Sequence, residues 1–234
     1  MPKGFFVTGT DTGVGKTIMA GALLKAMIFL GAKPCAMKPL ESGCGKEGDV
    51  LVPYDGMFLK QMAHVDEPLH LITPCCFENP LAPLAASEEE MTDADLMAVR
   101  KTYTKLSQKY DSIVVEGIGG IMVPIRKDYF VSNLAAEFEL PLVVVTRPGL
   151  GTINHTMLTV HYALREGLKV AGVIINYSRS PEHSMAEKTN PVVLAKICPV
   201  PIIGIFPYLK TVDEDEIARF ALKSLNFDIL RKYL

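Results

Sequence analysis

Apolar residues in this chain fall into short continuous runs, and between the runs they recur at the spacing of a helix. Runs of strand length without polar alternation are typical of strands that are covered on both faces of a sheet. The predicted strands span residues 5–8, Pro34–Met37, 112–115, 142–145, 170–175 and Ile202–Phe206.

Three segments between these strands predict helices. Residues 16–30 are apolar nearly all round, so this helix should be buried, and Gly31 ends it. A second helix follows a capping signal formed by Thr92 and Asp95, and a third ends near Gly167. The apolar positions at helical spacing are Leu96, Val99, Tyr103 and Leu106 in the second helix and Ile153, Met157, Val160 and Leu164 in the third.

The order of these elements predicts a doubly wound, mostly parallel α/β sheet. Strands that alternate with helices need crossover connections, because a tight hairpin would return the chain antiparallel. A chain of 234 residues can form one large domain or, less favoured, two small ones. We expect a single domain over residues 1–234, because no linker or repeat interrupts the pattern. Residues 43–53 are the least regular segment, and their glycines indicate a mobile active-site loop.

Composition narrows the class of protein. Hydrophobic residues make up 49% and charged residues 21% of the chain, and the formal net charge is −2 with dispersed basic residues, so we expect no nucleic-acid partner. No apolar run is long enough for a membrane span or a signal peptide, which predicts a cytoplasmic protein without a membrane partner. The five cysteines contain no CxxC pair, which argues against disulfides and zinc; adjacent Cys75 and Cys76 are most simply small hydrophobic residues.

A glycine-rich segment links the first predicted strand to the first predicted helix. Residues 9–17 read Gly-Thr-Asp-Thr-Gly-Val-Gly-Lys-Thr, and a strand before and a helix after are the context of a phosphate-binding P-loop. The usual G-x4-G-K-[ST] spacing is altered, because Thr10 occupies the first glycine position and Gly9 lies one residue earlier. The alternative is a plain glycine-rich turn between strand and helix.

The residue types in this loop suit a nucleotide phosphate chain. Gly13 and Gly15 would let backbone N–H groups approach phosphate oxygens, where the helix N-terminus adds positive partial charge. Lys16 would neutralise the β- and γ-phosphate oxygens, and the Thr17 hydroxyl would bind Mg²⁺. The segment therefore predicts an ATP-binding, P-loop NTPase-like fold.

Charged side chains follow two other strands at the edge where the P-loop is expected. Ligands of parallel sheets bind beyond the carboxyl ends of the strands. Lys38 would bring a second cation to the γ-phosphate, and Glu116 stands where a Mg²⁺ carboxylate belongs. The plainer alternatives are a surface lysine and a solvent-facing acid. Asp11 and Asp55 are further possible Mg²⁺ ligands, whereas the five histidines show no metal-ligand spacing.

Motifs that follow one another along nearly the whole chain resemble those of the dethiobiotin synthetase family. The P-loop matches the family pattern, including its unusual glycine spacing. Two departures are Ile121, where the family often has an aromatic residue, and Gly13, where relatives frequently have Glu. The matching segments are residues 9–17, Lys38-Pro39 with Ser42-Gly43 (KP-x-x-SG), 77–83 (F-x-x-P-x-A-P), 115–120 (VEG-x-GG) and 151–155 (G-x-INH), with Asn176 and Pro207 where the family holds adenine.

The resemblance implies an enzyme that converts 7,8-diaminononanoate, CO₂ and ATP into dethiobiotin, ADP and phosphate in biotin biosynthesis. A substrate amine captures CO₂ as a carbamate, which attacks the γ-phosphate and becomes a carbamic–phosphoric anhydride. The second amine then attacks the carbonyl and expels phosphate. In such a reaction the protein mainly has to position the substrates and neutralise the charge of the phosphate groups. A homodimer whose diamine site includes the partner chain is also implied.

The family's functional residues carry over onto matching positions. By resemblance, the catalytic residues are Lys16, Lys38 and Ser42, and the Mg²⁺ ligands are Thr17, Asp55 and Glu116. The implied ATP-binding residues are Asp11, Thr12, Gly13, Val14, Gly15, Lys16, Thr17, Asn176, Pro207 and Glu214. The implied residues around the carbamate and diamine are Thr12, Lys38, Ser42, Glu116, Gly117, Ile118, Gly119, Gly120 and Asn154.

Two other classes of P-loop protein remain as alternatives. A related amidoligase, such as a cobyrinic acid amide synthase, would carry a separate glutaminase domain, for which this chain has neither room nor a cysteine motif. A switch ATPase of the partitioning type usually has a signature lysine early in the loop, and residues 9–14 contain none. Such a switch should also carry a basic patch for DNA or membrane, which the sequence does not display.

Overall fold

The computed structural model describes residues 3–234; Met1 and Pro2, the start of the segment considered as a signal peptide, lie outside it. Helices separate most strands of the described chain, apart from two runs of consecutive strands, β2 to β5 and β7 to β9. The strands are β1 (Gly4–Gly9), β2 (Pro34–Met37), β3 (Leu40–Ser42), β4 (Gly45–Glu47), β5 (Val50–Val52), β6 (Cys75–Phe77), β7 (Ser112–Gly120), β8 (Pro124–Arg126), β9 (Tyr129–Phe130), β10 (Leu142–Thr146), β11 (Val170–Asn176) and β12 (Ile202–Phe206). The helices are α1 (Lys16–Phe29), α2 (Tyr54–Ala63), α3 (Leu69–Ile72), α4 (Pro83–Glu90), α5 (Leu96–Lys109), α6 (Val131–Phe138), α7 (Thr152–Arg165), α8 (Met185–Ile197), α9 (Glu214–Ser224) and α10 (Phe227–Leu230), with a final 3₁₀ turn at Arg231–Tyr233.

A six-stranded sheet in the order β12-β11-β10-β1-β7-β2 forms the centre of the molecule. Every neighbouring pair in it is parallel, and Phe6 of β1 lies between Leu142 of β10 and Val115 of β7. All residues of β1 and β10 are buried, so both faces of the sheet are covered. The doubly wound, parallel α/β prediction is therefore confirmed, and the six predicted strands are the six strands of this sheet.

Helices cover this sheet in two groups. Helix α1 packs against α2, α9 and β7, whereas α7 packs against α8 and β10. The α1 segment has ten buried residues because its sequence is apolar nearly all round, as expected from residues 16–30. Among the described helices, none combines the length and the apolar character that crossing a membrane would require.

Three local predictions need correction. Asp95, and not Thr92, caps α5, since its side chain accepts a hydrogen bond from the Ala98 N–H at 2.9 Å. Residues 43–53 are not irregular throughout, because β4 and β5 form an antiparallel hairpin with Gly48 in the left-handed region at its turn. The strand predicted at 112–115 continues as β7 to Gly120.

The longer β7 contains an irregularity next to the P-loop. Glu116 pairs with Val7 and Gly120 pairs with Gly9, so residues 117–119 bulge opposite Thr8. Gly119 has φ of 59°, and a Cβ on Gly117 would lie 2.9 Å from the Phe6 ring. The glycines after Glu116 thus allow the backbone to bulge at the strand edge where ligands bind.

Candidate active site

The P-loop turns tightly between β1 and α1. Gly13 and Gly15 have φ of 74° and 88°, in the left-handed region that favours glycine. A Cβ added to Gly15 would lie 2.2 Å from the Asn176 Nδ2 atom, so the backbone approaches that side chain too closely for any other residue. Lys16 opens α1, and its ammonium donates a hydrogen bond to the Asp11 carbonyl at 3.2 Å. The loop therefore wraps around the lysine that the sequence predicts as the phosphate ligand.

Asn176 joins the end of β11 to this loop. Its side chain is buried and donates from Nδ2 to the Val14 carbonyl at 2.8 Å. The amide Oδ1 remains as an acceptor on the side chain. The carboxyl ends of β1 and β11 are thus tied together, as expected for ligand-binding edges of a parallel sheet.

Four side chains from separate parts of the sequence meet beside the P-loop. The Lys38 ammonium lies 2.5 Å from Glu116 Oε1 and 3.1 Å from Asp55 Oδ2. The Thr17 hydroxyl donates to the same Glu116 oxygen at 3.0 Å. Lys16 interacts electrostatically with Glu116, Lys38 and Asp55, so the two lysines and the two acids influence one another's charge. The prediction that Lys38 and Glu116 converge on the P-loop is confirmed.

Burial and the neighbouring carboxylates act in opposite directions on the two lysines of this cluster. Burial lowers the pKa of the Lys16 ammonium, and the Glu116 carboxylate opposes that change. Burial would also lower the pKa of Lys38, but the carboxylates of Glu116 and Asp55 outweigh it and raise the pKa overall. Lys38 is therefore held as an ammonium. These observations remove the surface-lysine and solvent-facing-acid alternatives, since Lys38 is 3% and Glu116 is 1% exposed.

A cavity of about 330 Å³ opens onto these side chains. It brings together the predicted cations, acids and loop residues of the P-loop, the connection between β2 and β3, β3 itself, α2 and β7. The lining residues are Thr12, Gly13, Gly15, Lys16, Thr17, Ile18, Lys38, Glu41, Ser42, Asp55, Glu116, Ile118, Gly119 and Ser178.

The donor set suits a hard divalent cation. Thr17, Asp55 and Glu116 offer only oxygen atoms, which Mg²⁺ prefers. Glu116 Oε2 is buried without a hydrogen-bond partner, although a buried carboxylate oxygen normally has one. The two ammonium groups and the two carboxylates cancel in formal charge, so an anionic phosphate chain would need further positive charge here. Within residues 3–234, no cluster of three or more His, Cys, Asp or Glu side chains could hold a metal by itself.

Known proteins with similar sequences give the family. The sequence profile of a family described as an AAA domain matches residues 3–216. The protein named ATP-dependent dethiobiotin synthetase BioD in Thermodesulfovibrio yellowstonii is 46% identical to this chain over 98% of each. The chain belongs to the ATP-dependent dethiobiotin synthetase family. Proteins of the same name in Bacillus subtilis strain 168 and Aquifex aeolicus are 38% and 42% identical, over 97% and 86% of each chain.

Solved structures of more distant proteins share the fold. A chain of the MinC:MinD cell division protein complex of Aquifex aeolicus aligns with a TM-score of 0.55 and 17% identity, covering 98% of this chain and 95% of that one. The signal recognition particle receptor FtsY of Elizabethkingia anophelis aligns with a TM-score of 0.51 and 13% identity. That match covers 94% of this chain and 65% of FtsY. At such low sequence identity, these similarities show a shared fold and say nothing about activity.

Some residues carried over from the dethiobiotin synthetase family lie outside this cavity. Glu214 opens α9 and is engaged elsewhere, with Oε1 at 2.7 Å from the Lys25 ammonium and 2.5 Å from His64 Nε2. Asn154 lies exposed on the first turn of α7. The other predicted residues that do not line the cavity are Asp11, Val14, Gly117, Gly120, Asn176 and Pro207.

The cavity also contains residues that sequence reasoning missed. Glu41 and Ser178 had no predicted role, and neither stands in a recognisable spacing. Arg147 lines an adjoining cavity of about 230 Å³ with Thr12 and Gly13, and it lies 4.0 Å from Asp11. Because Arg147 directly follows β10, the strand-end rule that found Lys38 and Glu116 would have found it as well.

Proposed function

We propose that this chain is an ATP-dependent dethiobiotin synthetase that joins 7,8-diaminononanoate and CO₂ at the cost of one ATP. The observation that carries the proposal is the meeting of Lys16, Lys38 and Glu116 around one cavity at the P-loop. Relatives of that name align with almost the whole chain, which supports assigning the activity to the fold as a whole.

The proposed reaction has three balanced steps. One substrate amine adds to CO₂ and loses a proton, which gives a carbamate. A carbamate oxygen forms a bond to the γ-phosphorus while the bond from that phosphorus to the β-bridging oxygen breaks, so ADP leaves. The second amine attacks the carbamoyl carbon, loses a proton and expels phosphate, which closes the ureido ring of dethiobiotin.

The roles of the two lysines follow from their placement. Lys16 lies within the P-loop, so its ammonium would neutralise the β- and γ-phosphate oxygens. Lys38 is held as an ammonium by two carboxylates and would neutralise the charge on the transferring phosphoryl group. Ser42 lines the same cavity and would orient the carbamate with Thr12 and the bulge after Glu116.

The predicted metal ligands fit Mg²⁺. Thr17, Asp55 and Glu116 would hold the ion, and the unpartnered Glu116 Oε2 is an acceptor free to face it. When bound, Mg²⁺ supplies positive charge to the phosphate oxygens of ATP. The chain's own contribution is to fix these oxygen donors on three different elements around one cavity.

The proposal also includes an adenine site and a second subunit. Asn176 would present its Oδ1 to the adenine amino group while its Nδ2 holds the P-loop, with Pro207 beside the ring. Lys25 and His64 engage Glu214 through Oε1, so the proposed contact of Glu214 with the ribose or adenine would be made by Oε2. We infer a cytoplasmic homodimer. The family resemblance of residues 151–155 supports the dimer, as does Asn154, which is exposed and does not line the cavity of its own chain.

The decisive experiment is incubation with diaminononanoate, bicarbonate and Mg·ATP, followed by mass detection of dethiobiotin. We expect one ADP per dethiobiotin and no product when any substrate is omitted. Lys16→Ala should fold normally, judged by circular dichroism, and form no product. ATP hydrolysis without dethiobiotin would refute the proposal and favour a switch ATPase, while full activity of Lys16→Ala would refute the phosphate assignment.

A further inference from the structure

Helix α2 begins without a capping side chain of its own. The first backbone N–H groups of a helix have no partner within it, and the residue before the helix usually supplies a side-chain acceptor. In α2 that residue is Pro53, which makes no such hydrogen bond. The acceptor comes instead from Glu41, on strand β3.

The Glu41 carboxylate is used at both oxygens. Oε1 accepts from the Asp55 N–H and Oε2 from the Gly56 N–H, each at 2.9 Å. The side chain is only 5% exposed, so water does not compete strongly for these bonds. The positive end of the helix dipole also stabilises a carboxylate at this position.

This remote cap fixes the segment that carries a predicted metal ligand. The Asp55 side chain is 42% exposed, and its carboxylate lies 3.1 Å from the Lys38 ammonium. Glu41 belongs to the same short segment as Lys38 and Ser42. The carboxylate therefore ties the start of α2 to the strand segment that supplies two other cavity residues.

The start of α2 is also closely packed. A Cβ added to Gly56 would lie 2.0 Å from the Thr73 Oγ1 atom, so the helix end has little space in which to shift. Glu41 and Thr73 thus hold the same helix turn from two sides. The direction of the Asp55 side chain follows from where this turn is held.

We propose that Glu41 is a positioning residue of the Mg²⁺·ATP site, which sets the place of the Asp55 carboxylate by capping α2 from β3. The inference rests on the proposed function, because it concerns the metal ligand that function needs. Both Glu41 oxygens accept backbone hydrogen bonds from α2, so we assign this side chain to the helix end and not to the set of metal ligands.

Glu41→Gln is the main test variant. The glutamine keeps the shape and one acceptor oxygen, but its NH₂ group would face a backbone N–H and lose that bond. We expect the Mg²⁺ concentration for half-maximal binding of a non-hydrolysable ATP analogue, measured by calorimetry, to rise about tenfold, as for other residues that orient metal ligands. Nucleotide binding without Mg²⁺ should stay unchanged.

Glu67→Gln is the matched control. Glu67 is also a buried carboxylate, but it contacts Lys109 and Tyr110 and does not line the cavity. This control should lose stability without changing the Mg²⁺ dependence. If Glu41 acts through Asp55, the double variant Glu41→Gln, Asp55→Asn should lose less Mg²⁺ affinity than the product of the losses in the two single variants.

The outcomes separate this inference from the proposed function. Wild-type chain that shows no Mg²⁺-dependent nucleotide binding would overturn both. If the wild-type chain binds Mg²⁺ and nucleotide normally, two results would overturn this inference alone. One is a Mg²⁺ dependence of Glu41→Gln equal to that of the wild type. The other is a double variant whose loss of Mg²⁺ affinity equals the product of the losses in Glu41→Gln and Asp55→Asn. Should Glu41→Gln not fold, hydrogen exchange of the wild-type Asp55 and Gly56 amides decides, because unprotected amides would contradict the cap.

Discussion

At the scale of single residues, the site depends on where two buried ammonium groups lie relative to two carboxylates. Lys38 contacts Glu116 and Asp55 directly, while Lys16 points to the P-loop carbonyl of Asp11. The two lysines are therefore not equivalent. We expect Lys16 to serve mainly nucleotide binding and Lys38 mainly the chemical step.

Lys38→Gln tests this division of roles. The substitution removes the cation that would stabilise charge on the transferring phosphoryl group, so kcat should fall roughly 100-fold or more, as when one preorganised donor is lost. The affinity for ATP should change only a few-fold. Steady-state kinetics and calorimetry measure the two effects.

The matched control for this prediction is Lys33→Gln. Lys33 is exposed and precedes β2 at the end opposite Lys38, so its loss should leave kcat unchanged. An unchanged kcat in Lys38→Gln would remove Lys38 from the mechanism.

At the scale of elements, the junction between the P-loop and α1 depends on one glycine. Gly15 combines a left-handed backbone with a side-chain neighbour that leaves no room for a Cβ. Gly31, at the other end of α1, has a similar φ of 87° but no atom within 4 Å of an added Cβ. The two glycines therefore separate backbone strain from a steric clash.

Gly15→Ala should abolish measurable ATP binding by calorimetry, because the new methyl group would displace Asn176 and distort the loop. Gly31→Ala should cost about 1 kcal/mol in the free energy of unfolding from left-handed strain alone and leave ATP binding intact. Normal ATP affinity in Gly15→Ala would contradict the tight approach of the loop to Asn176.

Helix α5 is joined to the loop before α3 by a buried carboxylate. Glu67 accepts hydrogen bonds from the Lys109 ammonium and the Tyr110 hydroxyl. The hydrogen bond from Lys109, followed by that from Tyr110, holds the pKa of Glu67 below its ordinary range. A lowered pKa in the folded state means that this contribution to stability is fully present above the ordinary carboxyl pKa. It is lost as pH falls from there through the lowered pKa of the folded state.

Glu67→Gln should therefore lower the free energy of unfolding by about 1–2 kcal/mol near neutral pH. The difference from the wild type should shrink as pH falls from the ordinary carboxyl range towards the lowered pKa of the folded protein, because the wild-type carboxylate becomes protonated there. Urea unfolding of both proteins across this range measures it. A difference that stays constant with pH would contradict the role of the Glu67 charge.

At the scale of the whole molecule, the sheet brings the site residues together from distant parts of the sequence. The cavity combines residues of the P-loop, the connection between β2 and β3, β3, α2, β7 and the segment after β11. A homodimer would add a second chain to this arrangement, with the exposed Asn154 on the surface of α7.

Light scattering tests the inferred homodimer. We expect a mass twice the 25.6 kDa of one chain under assay conditions. Dilution to the point of dissociation should lower kcat/KM for the diamine more than it lowers ATP affinity, since only the diamine site would include the partner. A monomer with full activity would contradict this inference.

The sequence by itself determined the central sheet, the P-loop and the family. The six strands of the sheet are continuous apolar runs, and such local patterns depend only on neighbouring residues. The P-loop and the positions of Lys38 and Glu116, each directly after an apolar run, were likewise readable from order along the chain. Several helices, including α2 and α9, were not predicted. The apolar periodicity of α2 is weak. Helix α9 does carry a readable signal, since Ile217, Phe220 and Ala221 stand at helical spacing behind the capping residue Asp213.

The tertiary structure decided which side chains meet. Glu41 was missed because its partners are backbone N–H groups 14 and 15 residues further along, and no spacing rule predicts such a pair. Glu214 was expected at the nucleotide, but the packing of α9 against α1 places it beside Lys25 and His64. Local pattern fixes what each segment can form, whereas contacts between distant segments depend on how the whole chain packs.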